Sequence, residues 1–141
     1  MEAIVKGELD AYDINRLHKS QYGFIKGSSI EVCKYDLLQS VRTRTTKGEQ
    51  TALLFVDLKS AYDRVDRVKL LRNMERESIL SRKSMDLLRF LFTDTGTVLG
   101  EQLCMNSNGV PQGSTLSPML FNIAIEPLAR ELEKQECEAY F

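Results

Sequence analysis

The chain has 141 residues, which is enough for one domain, and 43% of them are hydrophobic, which is enough to build a core. Its formal net charge of −1 excludes a strongly basic protein that coats nucleic acid through bulk charge, so any contact with nucleic acid would have to be local. There is no apolar run of about 18 residues and no basic-then-apolar start, so the sequence predicts no transmembrane helix and no signal peptide.

The cysteines and the single histidine give no sign of a metal site or a disulfide. Cys33, Cys104 and Cys137 are far apart in sequence, and we expect buried thiols in a reducing compartment, which is the nucleus or the cytoplasm. His18 has no potential metal ligands at a suitable spacing. We therefore expect His18 to be a surface or loop residue.

The first third of the chain predicts two helices separated by a loop. Residues 1–20 have a weak helical pattern, and residues 21–29 contain two glycines and two serines, which is typical of a loop. Ser28 or Ser29 is a suitable N-cap for a second helix, which should run from Ile30 to about residue 45. Its apolar residues fall at helical spacing, at Val32, Cys33, Leu37, Leu38 and Val41.

The middle of the chain predicts a strand, two helices and a hairpin. Residues 51–56 are a continuous apolar run rich in strand formers, which predicts a strand buried on both faces with Asp57 at its end. Asp66 is a plausible N-cap for a helix, and a further helix should span about residues 81–92. Two short segments within residues 95–105 are separated by a glycine and predict a small hairpin.

The last third predicts a loop followed by a long helix. Residues 109–113 should form the loop, and the helix should start at about residue 114 with a kink or break before Pro127. Residues 139–141 resemble the start of another strand. Because strands and helices are intermixed, the pattern favours an α+β or α/β class, and we expect an α+β fold with helices packed on a small antiparallel sheet.

Asp57 is a candidate metal ligand because a strand delivers its last residue to the edge of a sheet, where a carboxylate can meet solvent. Magnesium prefers oxygen ligands and usually takes one or two carboxylates together with substrate phosphates. Asp57 alone would be an incomplete site, and capping a turn is the alternative. Asp63 and Asp66 have no spacing that makes them further ligands, so a structural hydrogen bond and a helix cap account for them better.

The loop at residues 109–113 combines rigidity, close approach and a polar side chain. Pro111 restricts one dihedral angle, Gly113 permits a positive φ, and Gln112 between them can both donate and accept hydrogen bonds. The helix start that follows offers free backbone N–H groups to a phosphate. The alternative is a simple connection from a loop to a core helix.

Three blocks of the sequence resemble those of reverse transcriptases, in the family order. Residues 21–28 (QYGFIKGS) resemble the fingers block, residues 55–63 (FVDLKSAYD) the block that carries the first catalytic aspartate, and residues 109–122 (GVPQGSTLSPMLFN) the block that lines the nucleotide pocket. Each block alone is a weak to moderate signal, but three in order are a strong one. The likeness is greatest to enzymes of non-LTR (LINE-like) retrotransposons.

The resemblance implies a role for each matching position. Asp57 would be the catalytic ligand of two magnesium ions about 4 Å apart, with the Leu58 carbonyl helping to hold one of them. Tyr62 would lie under the sugar of the incoming nucleotide, which Gln112 and the Gly113 backbone would contact. The template side of the fingers would include Gly23, Phe24, Lys26 and Gly27.

The resemblance also implies the reaction, the partners and the parts that are missing. The enzyme would add dNTPs to the 3′-OH of a DNA primer on an RNA template. Residues 1–141 would be one partial domain of a right-hand polymerase, with a fingers-like portion at 1–50 and a palm portion at 51–141. The 141 residues contain no Tyr-x-Asp-Asp motif, and the thumb and an upstream fingers block are also absent, so we expect a fragment that is inactive by itself.

Two alternatives remain at this stage. The chain could be a non-catalytic remnant of the same fold that binds RNA or a protein partner. It could also be an ordinary α/β domain with a fortuitous likeness, in which case Asp57, Tyr62 and Gln112 would not converge. The sequence gives no indication of an oligomeric state.

Overall fold

The computed structural model describes residues 1–12, 16–93, 96–99, 102–105 and 108–141. Within these ranges helices dominate, and two short strands are present. In chain order the elements are α1 (Glu2–Ala11), α2 (Ile30–Thr46), α3 (Arg67–Arg76), α4 (Arg82–Thr93), β1 (Gly96–Leu99), β2 (Gln102–Met105) and α5 (Ser117–Lys134).

The chain divides into two compact units, each built from two stretches of sequence. The first unit comprises Met1–Leu17 and Ser60–Glu126, and the second comprises His18–Lys59 and Pro127–Phe141. Most of the buried hydrophobic side chains belong to the first unit, among them Val5, Leu9, Leu70, Met74, Leu88, Val110 and Leu120.

In the first unit α1 and α3 both pack against α4. The apolar residues of these helices recur at three- and four-residue intervals and therefore share one face of each helix, which is the face that becomes buried. Two carboxylates cap helices: Asp66 accepts from the Lys69 N–H at the start of α3, and Glu8 accepts from the Ser81 N–H just before α4. Such caps satisfy backbone donors that the helix itself leaves unpaired.

The second unit contains α2 and the chain end. Ser29 is the N-cap of α2 and accepts from the Val32 N–H at 3.3 Å. The last residue, Phe141, donates its backbone N–H to the Ser20 carbonyl and accepts from the Tyr22 N–H, both at 2.8 Å. Glu138 accepts hydrogen bonds from Ser40 and Arg44, which belong to α2. The start and the end of this unit are thus held together by polar contacts.

The predicted fold class is wrong. Residues 51–56 form neither a strand nor a helix, and every residue from 51 to 59 is exposed. A strand exists only when a neighbouring strand takes up its backbone hydrogen bonds, and the described residues offer this segment no such neighbour. The one β structure in the described part of the chain is the hairpin of β1 and β2. Helices packed on one another take the place of helices packed on an antiparallel sheet.

Elements defined by local signals are confirmed more often. The hairpin is antiparallel with Leu99 opposite Gln102. Helices α2 and α4 lie within two residues of their predicted bounds, and α3 begins directly after its predicted N-cap, Asp66. The first helix is shorter than expected. A kink or a break was predicted before Pro127, and α5 runs through this residue without a break. Residues 139–141 are not assigned as a strand.

Two further features can be compared with the sequence analysis, the membrane-spanning helices and the cysteines. No helix among the described residues is long and apolar enough to cross a membrane. Cys33 is half-buried, but Cys137 is exposed, which contradicts the prediction that it is buried. The side chain of Cys104 lies outside the part of the chain that is described.

Candidate functional site

The loop at residues 109–113, which we call the glycine loop, lies against the segment that follows Ala61 in the first unit. The Val110 N–H donates to the Tyr62 carbonyl at 2.9 Å, and the Gly109 N–H donates to the Val65 carbonyl at 2.8 Å. Two of the three sequence blocks therefore meet through their backbones. Both Gly109 and Val110 are buried at this contact.

Gly109 makes this contact possible because it has no side chain. A Cβ atom at this position would lie 2.8 Å from the Asp63 Cα and 2.9 Å from the Asp63 carbonyl oxygen. Its φ of +85° is also in the left-handed region, which residues with a Cβ rarely adopt. Close approach and backbone conformation both require glycine here.

Arg67, the first residue of α3, binds the glycine loop through a hydrogen bond. Its Nε donates to the Gly109 carbonyl at 2.6 Å, and its Nη1 donates to the Phe92 carbonyl at 2.8 Å. The guanidinium also lies over the Phe92 ring, 4.9 Å from the centroid. The side chain is buried, and this burial lowers the pKa of the guanidinium from its ordinary value. Arg67 therefore ties the loop to α3 and α4.

The other end of the glycine loop is fixed by the start of α5. The Ser117 hydroxyl, which is buried, donates to the Pro111 carbonyl at 2.5 Å. The Ser114 N–H donates to the same carbonyl at 3.3 Å. On the next turn of α5, the Phe121 ring packs against Tyr62 with 5.1 Å between the ring centroids. Tyr62 is half-buried, and this burial raises the pKa of its hydroxyl.

Gln112 and Gly113 occupy the exposed tip of the loop. The Gln112 Nε2 donates to the Asp63 Oδ1 at 3.0 Å, which joins side chains 49 residues apart in sequence. Gly113 has a φ of +86°, and nothing lies within 4 Å of the position that a Cβ would take. Thus Tyr62, Gln112 and Gly113 belong to one anchored arrangement within the first unit.

The other predicted site residues belong to the second unit. Asp57 and Leu58 are exposed and lie in the segment without regular structure. Four more exposed residues lie in the turn before α2, and they are Gly23, Phe24, Lys26 and Gly27. Phe24 has a φ of +57°, which is unusual for an aromatic residue. The roles of these six residues stay predictions.

The described residues do not by themselves fit a magnesium site. Among them, no three His, Cys, Asp or Glu side chains are grouped so that they could hold a metal ion. Asp57 is thus a single exposed carboxylate, and one carboxylate replaces too few of the waters that magnesium holds.

Sequence reasoning missed Arg67 and the partner of Asp63. Arg67 gave no signal, because a helical arginine is normally solvated and its partner carbonyls are 25 and 42 residues away. Asp63 was correctly expected to make a structural hydrogen bond, but its partner was not foreseen. The contact between the buried Arg67 and the glycine loop can be recognised only from the structure.

Comparison with known proteins agrees with the motifs. The family model described as reverse transcriptase (RNA-dependent DNA polymerase) matches residues 1–141. The chain belongs to the reverse transcriptase family. One relative of this reverse transcriptase chain is the Retrovirus-related Pol polyprotein from type-1 retrotransposable element R2 of Popillia japonica, with 31% identity. The alignment covers 68% of this chain and 16% of that protein, so the chain spans only a small part of the relative's length. The resemblance to non-LTR reverse transcriptases is confirmed.

Proposed function

We propose that this chain is part of an RNA-directed DNA polymerase of a non-LTR retrotransposon, which adds dNTPs to the 3′-OH of a DNA primer on an RNA template. One observation carries the proposal beyond family membership. The end of the block at residues 55–63 and the glycine loop, which the resemblance assigns to one nucleotide pocket, are joined by hydrogen bonds of 2.9 and 3.0 Å.

The roles proposed for Tyr62, Gln112 and Gly113 in nucleotide binding are consistent with a loop that is anchored by hydrogen bonds. Gln112 and the Gly113 backbone would contact the incoming nucleotide, and Tyr62 would lie under its sugar. Phosphoryl transfer depends mainly on positioning and on charge stabilisation, so the groups that hold the nucleotide should be held rigidly themselves. The contacts of Arg67 and Ser117 with the loop carbonyls support such rigidity.

The remaining assignments follow from the family alone. Asp57 and the Leu58 carbonyl would contribute to binding of divalent metal, but the described donors do not complete that site, and we derive no catalytic step through it. The turn with Gly23, Phe24, Lys26 and Gly27 would face the template. Residues 1–50 would be the fingers-like portion and residues 51–141 the palm portion of one partial domain.

We predict that the chain of 141 residues does not polymerise by itself. The sequence contains one candidate carboxylate motif but no Tyr-x-Asp-Asp motif, and a single carboxylate holds divalent ions poorly against their hydration. The measurement is primer extension by the purified chain with magnesium, an RNA template, a DNA primer and dNTPs. Incorporation by the chain that disappears with Asp57→Asn would contradict the prediction.

The same assay on a longer protein that contains this chain tests the proposed activity. We expect incorporation that Asp57→Asn abolishes. Asp10→Asn is the matched control, because Asp10 is exposed on α1 and pairs with Lys6, and it should leave incorporation unchanged. RNA binding that weakens with salt but leads to no incorporation would instead favour the non-catalytic alternative.

A further inference from the structure

We propose that Asp63 is a positioning residue that sets the orientation of the Gln112 side-chain amide. In that orientation Gln112 offers its carbonyl oxygen, Oε1, to the ligand of the glycine loop. The inference rests on the proposed function only for the identity of that ligand, which would be a nucleotide. The orientation itself follows from the contact between the two side chains.

The hydrogen-bonding groups of Asp63 and Gln112 allow only one orientation of the Gln112 amide. An ionised carboxylate only accepts hydrogen bonds, whereas a glutamine amide donates from its nitrogen and accepts at its oxygen. The Gln112 nitrogen must therefore face Asp63, as the 3.0 Å contact from Nε2 to Oδ1 has it. An amide turned by half a rotation would place two acceptor oxygens against each other.

Both partners stand on backbone that is fixed by other contacts. The peptide carbonyl of Tyr62, next to Asp63, accepts from the Val110 N–H, and Gly109 lies directly against the Asp63 Cα. Arg67 donates a hydrogen bond to the Gly109 carbonyl. The backbone segments that carry Asp63 and Gln112 are thus held against each other by hydrogen bonds and close contact, and the two exposed side chains meet above this contact.

The orientation limits what Gln112 can recognise. Its outward oxygen accepts a hydrogen bond, so it suits a hydroxyl or amino group of a nucleotide. It does not suit a phosphate oxygen, which carries no hydrogen at neutral pH. Phosphate would instead be a ligand for backbone N–H groups. Without Asp63, the amide could turn either way and this selectivity would be lost.

The deciding experiment observes the Gln112 amide directly, by NMR of the ¹⁵N-labelled chain of 141 residues. Its side-chain NH₂ signals are assigned by their loss in Gln112→Ala. We expect Asp63→Ala to shift these signals and to speed the exchange of their protons with water. The backbone signals of Gly109 and Val110 should stay in place, which shows that the loop remains folded.

Asp66→Asn is the matched control, because Asp66 lies three residues further on and bonds the Lys69 N–H. It should leave the Gln112 signals unchanged. Gln112 signals that are the same in the unaltered chain and in Asp63→Ala would overturn the inference, whatever the activity of the protein.

A second measurement connects the orientation to the proposed function. In primer extension by the longer protein, Asp63→Ala should raise the KM for dNTP roughly three- to tenfold, the effect of one lost hydrogen bond, with little change in kcat. The double variant with Gln112→Ala should be no worse than Gln112→Ala alone, and a worse double variant would overturn the positioning role. If the NMR result holds but neither single variant alters KM, the orientation stands and the nucleotide role of Gln112 in the proposed function fails.

Discussion

Two glycines of the loop separate the effect of backbone conformation from that of close approach. Gly109 and Gly113 have φ values of +85° and +86°, but only Gly109 lies against other backbone. We predict that Gly113→Ala lowers the free energy of unfolding by about 1 kcal/mol, which is the cost of a side chain in the left-handed region. Gly109→Ala should lower it by about 3 kcal/mol, because the Asp63 backbone must also move.

Urea unfolding of the two variants checks this difference. The midpoint should fall further for Gly109→Ala, while the dependence on urea concentration stays the same in both. Equal destabilisation by the two substitutions would show that the loop does not lie against Asp63 as described. Gly7→Ala is a control with the opposite expected sign. Gly7 is in α1 with nothing within 4 Å of the added Cβ, and alanine is the better helix former, so this variant should raise the free energy of unfolding.

At the residue scale, the sequence identifies residues within contiguous motifs better than the residues that hold those motifs in place. Tyr62, Gln112 and Gly113 were singled out because each belongs to a contiguous block, and their contacts with a ligand stay predictions. Arg67 was not, because its function in the fold depends on carbonyls brought near by tertiary packing. Contacts between residues 42 to 49 positions apart leave no local periodicity or spacing that could reveal them.

At the element scale, the helices and the hairpin were predictable and the strand at residues 51–56 was not, for a physical reason. A helix satisfies its backbone within one segment, and its ends carry visible signals such as Ser29 and Asp66. A strand at residues 51–56 needs partners elsewhere, and the apolar run does not reveal whether they exist. At Pro127 the local signal for a break was wrong, because α5 continues through this residue despite the lost donor, with the buried residues Ile123 and Ala129 on either side.

The contact between α1 and α4 predicts a dependence of stability on pH. Glu8 accepts from the Ser81 N–H at 2.7 Å and from the Ser84 and Ser81 hydroxyls at 2.7 and 2.8 Å. These bonds, the backbone one first, hold the pKa of Glu8 below its ordinary value of 4.5. Because the folded state binds this proton less readily than the unfolded state, the stabilisation is complete above pH 4.5 and is lost as the pH falls through the lower folded-state pKa.

Thermal unfolding across this acidic range measures the effect. Glu8→Gln should lower Tm near neutral pH and make Tm fall less steeply on acidification than in the unaltered chain. Glu2→Gln is the control on the same helix, because the hydrogen bond that Glu2 makes among the described residues is a long one of 3.4 Å from Thr115, and this variant should keep the steep fall. The same acid dependence in Glu8→Gln and in the unaltered chain would show that Glu8 does not cap α4.

At the scale of the whole molecule, the apolar surface is distributed unevenly. The first unit contains most of the buried hydrophobic side chains, whereas the second unit leaves Leu54, Phe55 and Val56 exposed at 87%, 82% and 72%. With Leu53, which is 52% exposed, this makes four consecutive exposed large apolar residues. Exposed apolar residues on a protein surface are normally scattered, so such a run is unusual.

We therefore predict that the chain of 141 residues self-associates through residues 53–58. An exposed, β-prone segment with free backbone groups pairs readily with another copy, and lysine on such an edge opposes pairing. Sedimentation velocity should show a larger species that grows with concentration, and Leu54→Lys combined with Val56→Lys should shift the chain to the monomer. Val68→Lys combined with Phe90→Lys is the matched control, because these residues are also exposed, at 64% and 52%, but lie singly on helices. If the control pair abolishes association equally, general surface charge explains the effect and the segment does not.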